Sequence, residues 1–334
     1  MDILSKQPLS LESVIADRRL VDRLAAEGLI SAEVRTQAME LIYPAKSWGL
    51  WASRLLLLLG VALILAGVIY FFAFNWQQIT PAQKFIGIQL SILACLLGSY
   101  CYGIQQRLSG KVLLLCASVL VGVFLAVFGQ VYQTGADAYT LFLTWSLLIL
   151  AWVLFSEFAA LWVVWLGVTN TFLVLYWNQY LLPEKDVEIL IFPLLALFNG
   201  LFLGLREFYD LRGANWLSAR WTRVLLVLTI LVCALPPAFL LIDAPTRATT
   251  SVVSGSLVTL IVHLVLYNFY RFKVCDLWSQ AAIYLSICIL SVTAFHKVFR
   301  NIFGSESLTL LLLGFVTLGM FTVAVVSLRK QSKN

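Results

Sequence analysis

From residue 55 almost to the C-terminus the chain repeats one pattern, a run of apolar residues followed by a short polar or charged break. The runs cover 55–74, 85–103, 112–130, 140–155, 158–177, 189–205, 224–242, 249–269, 277–295 and 308–328. An α-helix rises 1.5 Å per residue, so most of these runs match a hydrocarbon layer of about 30 Å. A helix also satisfies its own backbone where no water is present. The pattern therefore predicts an all-α, polytopic bundle of about ten spans. The fourth run is short, and only Ser156 and Glu157 separate it from the fifth. Residues 140–177 thus read either as two spans or as one broken span, and the second choice would invert everything downstream.

The first 47 residues follow a different rhythm and form a separate segment, with the bundle occupying 48–334. Ser10 is placed to cap a helix running to about Glu27, with Val14, Leu20, Val21 and Leu24 as its apolar stripe. Gly28 is placed to end it. Ser31 can cap a second helix whose stripe is Val34, Ala38, Leu41 and Ile42, until Pro44 interrupts. The expected unit is a short amphipathic hairpin, cytoplasmic in the topology below. At about 40 residues it is too small to hold a stable core alone, which favours docking on the bundle or on a protein partner. No basic segment leads into an apolar core with a small-residue cleavage site, so no signal peptide is expected.

Charge sets the orientation. Only 12% of the 334 residues are charged, and the formal net charge is +6. Residues 1–54 carry seven Lys or Arg and seven Asp or Glu, so the hairpin is neutral and offers no basic face for nucleic acid. With the N-terminus inside, ten spans place 18 of the 23 basic residues on the cytoplasmic side and five outside: Lys84, Lys185, Arg247, Lys297 and Arg300. Counting only Lys46 and Arg54 from the N-terminal segment still leaves 13 against five, the bias of a protein with both termini in the cytoplasm. Of the six cysteines, five fall within or at the ends of apolar runs and Cys275 lies in a basic loop, so free thiols are expected.

Tryptophan, glycine and proline refine the spans. Trp48, Trp51 and Trp76 bracket the first run as interfacial rings would. Trp145, Trp152, Trp162 and Trp165 lie deeper and are expected to pack between helices. Gly60 and Gly67, and the pair Gly200 and Gly204, have the spacing that permits close helix contact. Pro236 and Pro237 should bend the seventh span, and Pro193 should begin or bend the sixth.

Two polar stretches on the expected outer face carry the candidate chemistry. GQVYQTGADAY, residues 129–139, offers Gln130, Tyr132, Gln133 and Asp137 as ligand contacts, with Gly129 and Gly135 for tight turning. FNWQQITPAQKF, residues 74–85, offers Asn75 and Trp76, with Thr80 and Pro81 suited to starting a helix. A self-bonded turn and ordinary helix capping explain much of the same residues. Within the spans, His263 with Tyr267 one turn later forms an intramembrane polar pair, read either as a relay or as a neutral histidine bonded between helices. No span shows a convincing internal carboxylate.

The FNW ending of the first span, GQVYQTGAD, LFLTW and a Trp-rich pair of spans together resemble an uncharacterised bacterial family of predicted membrane proteins. That family is defined by an N-terminal domain of unknown function. The resemblance covers residues 10–177 and carries Asn75, Trp76, Gln130, Tyr132, Gln133, Gly135 and Asp137. It implies a bacterial inner membrane and supplies no reaction or ligand.

Enzyme signatures are missing: there is no HExxH, Cys-x-x-Cys, Walker loop, dinucleotide fingerprint or GxSxG turn, and the two histidines lie far apart. No cofactor or metal is expected. The leading reading is a non-enzymatic protein that binds or moves a small solute or lipid at an outer-face cleft. A structural or assembly protein with a partner-binding hairpin is the alternative, and an enzyme acting on lipid is third.

Overall fold

The computed structural model describes residues 18–42, scattered positions between 49 and 70, and 76–333 apart from 105–106, 134, 136, 182–186 and 214. The chain divides into two compact units, residues 1–80 and 81–334. In the first, α1 (Arg18–Ala26) and α2 (Ala32–Ile42) form the expected hairpin. Gly28 takes φ +72°, which only a residue without Cβ adopts readily. The Leu29 amide then bonds the Leu24 carbonyl at 2.9 Å and the Gly28 amide that of Ala25 at 3.1 Å, closing the helix end. Ser31 Oγ accepts the Val34 amide at 3.2 Å and opens α2. Arg35 grips Asp22 through Nε and Nη2 at 2.9 and 2.7 Å, tying the two helices. The apolar stripes fare differently. Val21 is buried, while Val34 and Leu41 stand 47% and 85% exposed, because two short helices cannot cover both stripes. Residues 10–17 and most of the expected first span, including Gly67, lie outside the described residues.

The second unit is a succession of long apolar helices: α3 (Pro81–Tyr102), α4 (Leu108–Tyr132), α5 (Ala138–Ser156), α6 (Ala159–Tyr176), α7 (Ile191–Leu211), α8 (Arg220–Asp243), α9 (Thr250–Asn268), α10 (Leu277–Phe303) and α11 (Glu306–Lys333). Wider π-helical turns extend α6 through 177–181 and α9 through 269–273. Among the described residues nine helices are long and apolar enough to cross a membrane, and they follow the second to tenth runs one for one. The chain is an all-helical, multi-pass membrane protein.

The doubtful break at Ser156–Glu157 is a full turn between two spans. Glu157 adopts φ +46° at the end of α5, and α6 begins at Ala159. Trp165 Nε1–H donates to the Ser146 carbonyl at 3.1 Å, and the Tyr139 and Tyr176 rings meet edge-on at 5.4 Å. Contacts that pair 146 with 165 and 139 with 176 require antiparallel helices.

Two apolar cores hold this unit. One joins Leu114 and Val121 of α4, Ile149 and Val153 of α5, and Leu161 of α6. The other gathers Leu166, Ala196 and Leu203 with Leu226 to Ala234 of α8, Leu266, Tyr270 and Ile283. Trp165 packs against both, and the expected inter-helix role of the deep tryptophans holds where contacts are seen: Trp145 Nε1–H donates to Ser118 O at 2.8 Å, and Trp162 stacks on Trp216.

Close helix approach falls at other glycines than the spacing suggests. A Cβ on Gly200 or Gly204 would meet nothing within 4 Å, so this pair makes no tight contact. A Cβ on Gly122 would lie 2.5 Å from the Trp145 ring, one on Gly110 2.6 Å from the Gly103 carbonyl, and one on Gly255 2.9 Å from Pro237 Cβ. Packing partners, not sequence spacing, decide which glycine is obligatory. Pro193 stands in the first turn of α7, as expected.

α8 is the hub of the C-terminal half and packs along α7, α9 and α10. α9 touches its other neighbours, α7 and α10, through smaller areas. One cleft consequently opens on each side of α9, with α8 as the floor of both.

Candidate functional site

The cleft between α9 and α10 holds the intramembrane polar pair. Ser256, Thr259, His263 and Tyr267 recur at three- and four-residue spacing and so share one face of α9. They line a cavity of about 540 Å³ with Ser291 of α10 and apolar side chains including Leu241 and Ile287. His263 is buried, with Nδ1 2.8 Å from the Thr259 carbonyl and Nε2 2.8 Å from Ser286 Oγ. A carbonyl can only accept, which places a proton on Nδ1; the neutral ring then accepts the Ser286 hydroxyl at Nε2. The imidazole thus bridges α9 and α10, and His263 is also part of the cavity lining.

Contacts to α8, α10 and α11 frame this cavity. Thr259 Oγ1–H donates to Ala234 O at 2.5 Å, tying α9 to α8 next to Pro236 and Pro237. Gly255 lets α9 approach Pro237 at the same crossing. At the other end the Tyr267 ring meets Tyr284 edge-on at 6.0 Å, and the Tyr284 hydroxyl shares a 2.6 Å hydrogen bond with Ser327 of α11. The result is a mostly apolar pocket with a few convergent polar groups, the usual composition of a small-molecule seat.

The stretch 129–139 is engaged with its own neighbours. Gln133 (φ +43°) and Gly135 (φ +58°) turn the chain between α4 and α5. Asp137 accepts a hydrogen bond from Gln179 at the end of α6, and the Tyr139 hydroxyl donates to that of Tyr180 at 3.2 Å. Tyr132 is exposed but stacks on Phe85 at 5.8 Å and lies 4.7 Å from Phe128. Gln130 and Gln133 are exposed. Trp76 is half-buried in the first unit, and Asn75 lies outside the described residues.

A buried ion cluster went unread in the sequence. The sixth run was expected to end at 205, but α7 continues to Leu211 and carries Arg206, Glu207 and Asp210 on its last turns. Arg206 and Glu207 are 4% and 3% exposed. Glu207 Oε1 accepts from Arg206 Nη1 and Arg223 Nε, both at 2.7 Å, and from the Tyr270 hydroxyl at 3.1 Å, while Oε2 accepts from Arg223 Nη2 at 3.0 Å. Asp210 accepts from Arg206 at 3.2 Å and Arg223 at 3.0 Å. Arg206 Nη2 also holds the Leu217 carbonyl at 2.6 Å. Asp276 caps α10 through Ser279 and pairs with Arg220 at 3.2 Å. Three arginines face three carboxylates, which favours a charge-balanced brace joining α7, α8, α9 and α10. Opposite charges at 206, 207 and 210 facing 220 and 223 across a short connection were the available signal.

Residues 22–162 match the model of a family described as Predicted membrane protein (DUF2157). No curated protein and no solved structure matches the chain. The matched stretch begins in α1 and ends in α6, so the His263 cavity and the ion cluster both lie beyond it. Over that stretch the chain is similar to a family of predicted membrane proteins whose function is unknown.

Proposed function

We propose that this protein binds, and moves within the membrane, a small amphiphilic solute, and that the solute sits between α9 and α10 against His263 and Tyr267. The observation that carries this reading is the cavity of about 540 Å³ whose polar lining falls on one face of a membrane-spanning helix. Its apolar walls suit a hydrocarbon body, and Ser256, Ser291, Tyr267 and His263 suit one or two hydrogen-bonding groups. The mechanism is non-enzymatic binding followed by helix rearrangement. The outer-face residues Gln130, Tyr132, Gln133 and Asp137 serve as a second, peripheral contact for the solute. The membrane is the bacterial inner membrane, with both termini cytoplasmic, as the charge bias favours.

Native mass spectrometry of protein extracted directly into lipid nanodiscs tests this. Wild type should retain an adduct of defined mass. Ser291→Phe, which fills the cavity, should lose it, and His263→Gln should weaken it. Retention unchanged in Ser291→Phe removes the cavity as the seat, and loss confined to a paired Gln133→Ala and Asp137→Asn variant moves it to the outer face.

Exposed Val34 and Leu41, with Leu29 at 67%, favour a second role in which the N-terminal hairpin docks a protein partner. Co-purification that depends on residues 1–44 is the expected sign.

A further inference from the structure

The cleft on the opposite side of α9, between α9 and α7, differs in chemistry from the His263 cavity. It encloses about 500 Å³ and its walls are almost wholly apolar. Gly200 and Gly204 leave it open on the α7 side, since a side chain there would meet nothing within 4 Å. The lining extends along α7 from Ala196 to Leu211, roughly 20 Å of helix and enough to run the hydrocarbon depth of one leaflet. Helices α7 and α9 flank α8 and both run toward the ion-cluster end, so the cleft has a defined head.

That head is cationic. Glu207 reaches the lining, but its oxygens are taken by Arg206, Arg223 and Tyr270, so it contributes little negative field. Immediately beyond Leu211, the Arg212 guanidinium lies 4.1 Å from the centre of the Phe208 ring, itself part of the wall. On the facing helix, exposed Lys273 follows Phe269 by one turn. An apolar trough one leaflet deep, with Arg212 against its Phe208 wall and Lys273 one turn beyond the lining residue Phe269, matches an acyl chain whose headgroup bears negative charge.

We propose that the α7–α9 cleft binds one chain of an anionic phospholipid, its phosphate held by Arg212 and Lys273. The site is distinct from the solute cavity and independent of it, since the two clefts lie on opposite sides of α9.

The test uses the full-length protein, delipidated in detergent and titrated with phosphatidylglycerol or phosphatidylcholine of identical chains, read by native mass spectrometry. Wild type should take up phosphatidylglycerol in preference. Arg212→Gln with Lys273→Gln should reduce that preference by about fivefold per cation removed, with phosphatidylcholine, whose phosphate is offset by its own choline cation, losing less. Gly200→Leu with Gly204→Leu should abolish both, and open space at these glycines means the helix packing itself is not crowded. Equal uptake of the two lipids by wild type, or uptake unaffected by the leucine pair, overturns the proposal. If instead the leucine pair fails to fold, Leu201→Trp supplies the groove-filling test from the same wall. Ser291→Phe should leave lipid uptake unchanged, so failure here and failure of the solute cavity are read separately.

Discussion

At the scale of single residues, the bundle is decided by a few positions where backbone or ring comes close. Gly122 is one: the face of Trp145 lies where a Cβ would be, and the indole is pinned by its bond to the Ser118 carbonyl. The indole cannot retreat without leaving its N–H unpaired in the bilayer. Gly122→Val should therefore destabilise the bundle by about 1–3 kcal/mol through overpacking, while Gly200→Val, in open space, should change little. Thermal unfolding of the two variants in detergent checks the contrast; equal stability would mean α4 and α5 do not meet as described. Both glycines sit in apolar helices and look alike in sequence. Only the identity of the opposing residue separates them.

Among the elements, α7 and α8 act as one braced pair. Glu207 receives bonds from two arginines and a tyrosine on three different helices, so its loss leaves Arg206 and Arg223 to share the single carboxylate of Asp210 in a largely buried site. Glu207→Leu should cost about 3–5 kcal/mol, whereas Asp210, with a carboxylate 22% exposed, should be more tolerant. Detergent stability and yield of the two variants test this, and comparable loss in both would argue against Glu207 as the centre of the brace. The hairpin of α5 and α6 illustrates the other side of legibility. Apolar runs on both sides of Ser156–Glu157 were plain, but two residues do not reveal whether a helix turns back or continues. The left-handed conformation at Glu157, held in place by the antiparallel Ser146–Trp165 and Tyr139–Tyr176 contacts, resolves it.

For the whole molecule, resolving that turn as two spans keeps the parity on which the orientation rests. Reporter fusions after Lys185 and after Arg271 should read outside and inside respectively. The reverse result would sink the orientation with both termini cytoplasmic while leaving the helices themselves intact. The sequence by itself determined the membrane class, nine of the expected runs as helices, and the hairpin with its Ser31 and Gly28 ends. Each rests on local chemistry: apolar length against bilayer thickness, a hydroxyl at a helix start, a glycine at a positive φ. It also marked His263 and Tyr267, because a polar residue within an apolar run is conspicuous wherever the chain goes. Only the tertiary structure decided that these two face a cavity, that Asp137 is occupied by Gln179, that Gly200 and Gly204 border a cleft, and that Arg206, Glu207 and Arg223 form a buried brace. Each of those depends on which helix lies opposite, and in a bundle where nearly every surface is apolar, hydrophobic pattern alone does not specify the neighbour.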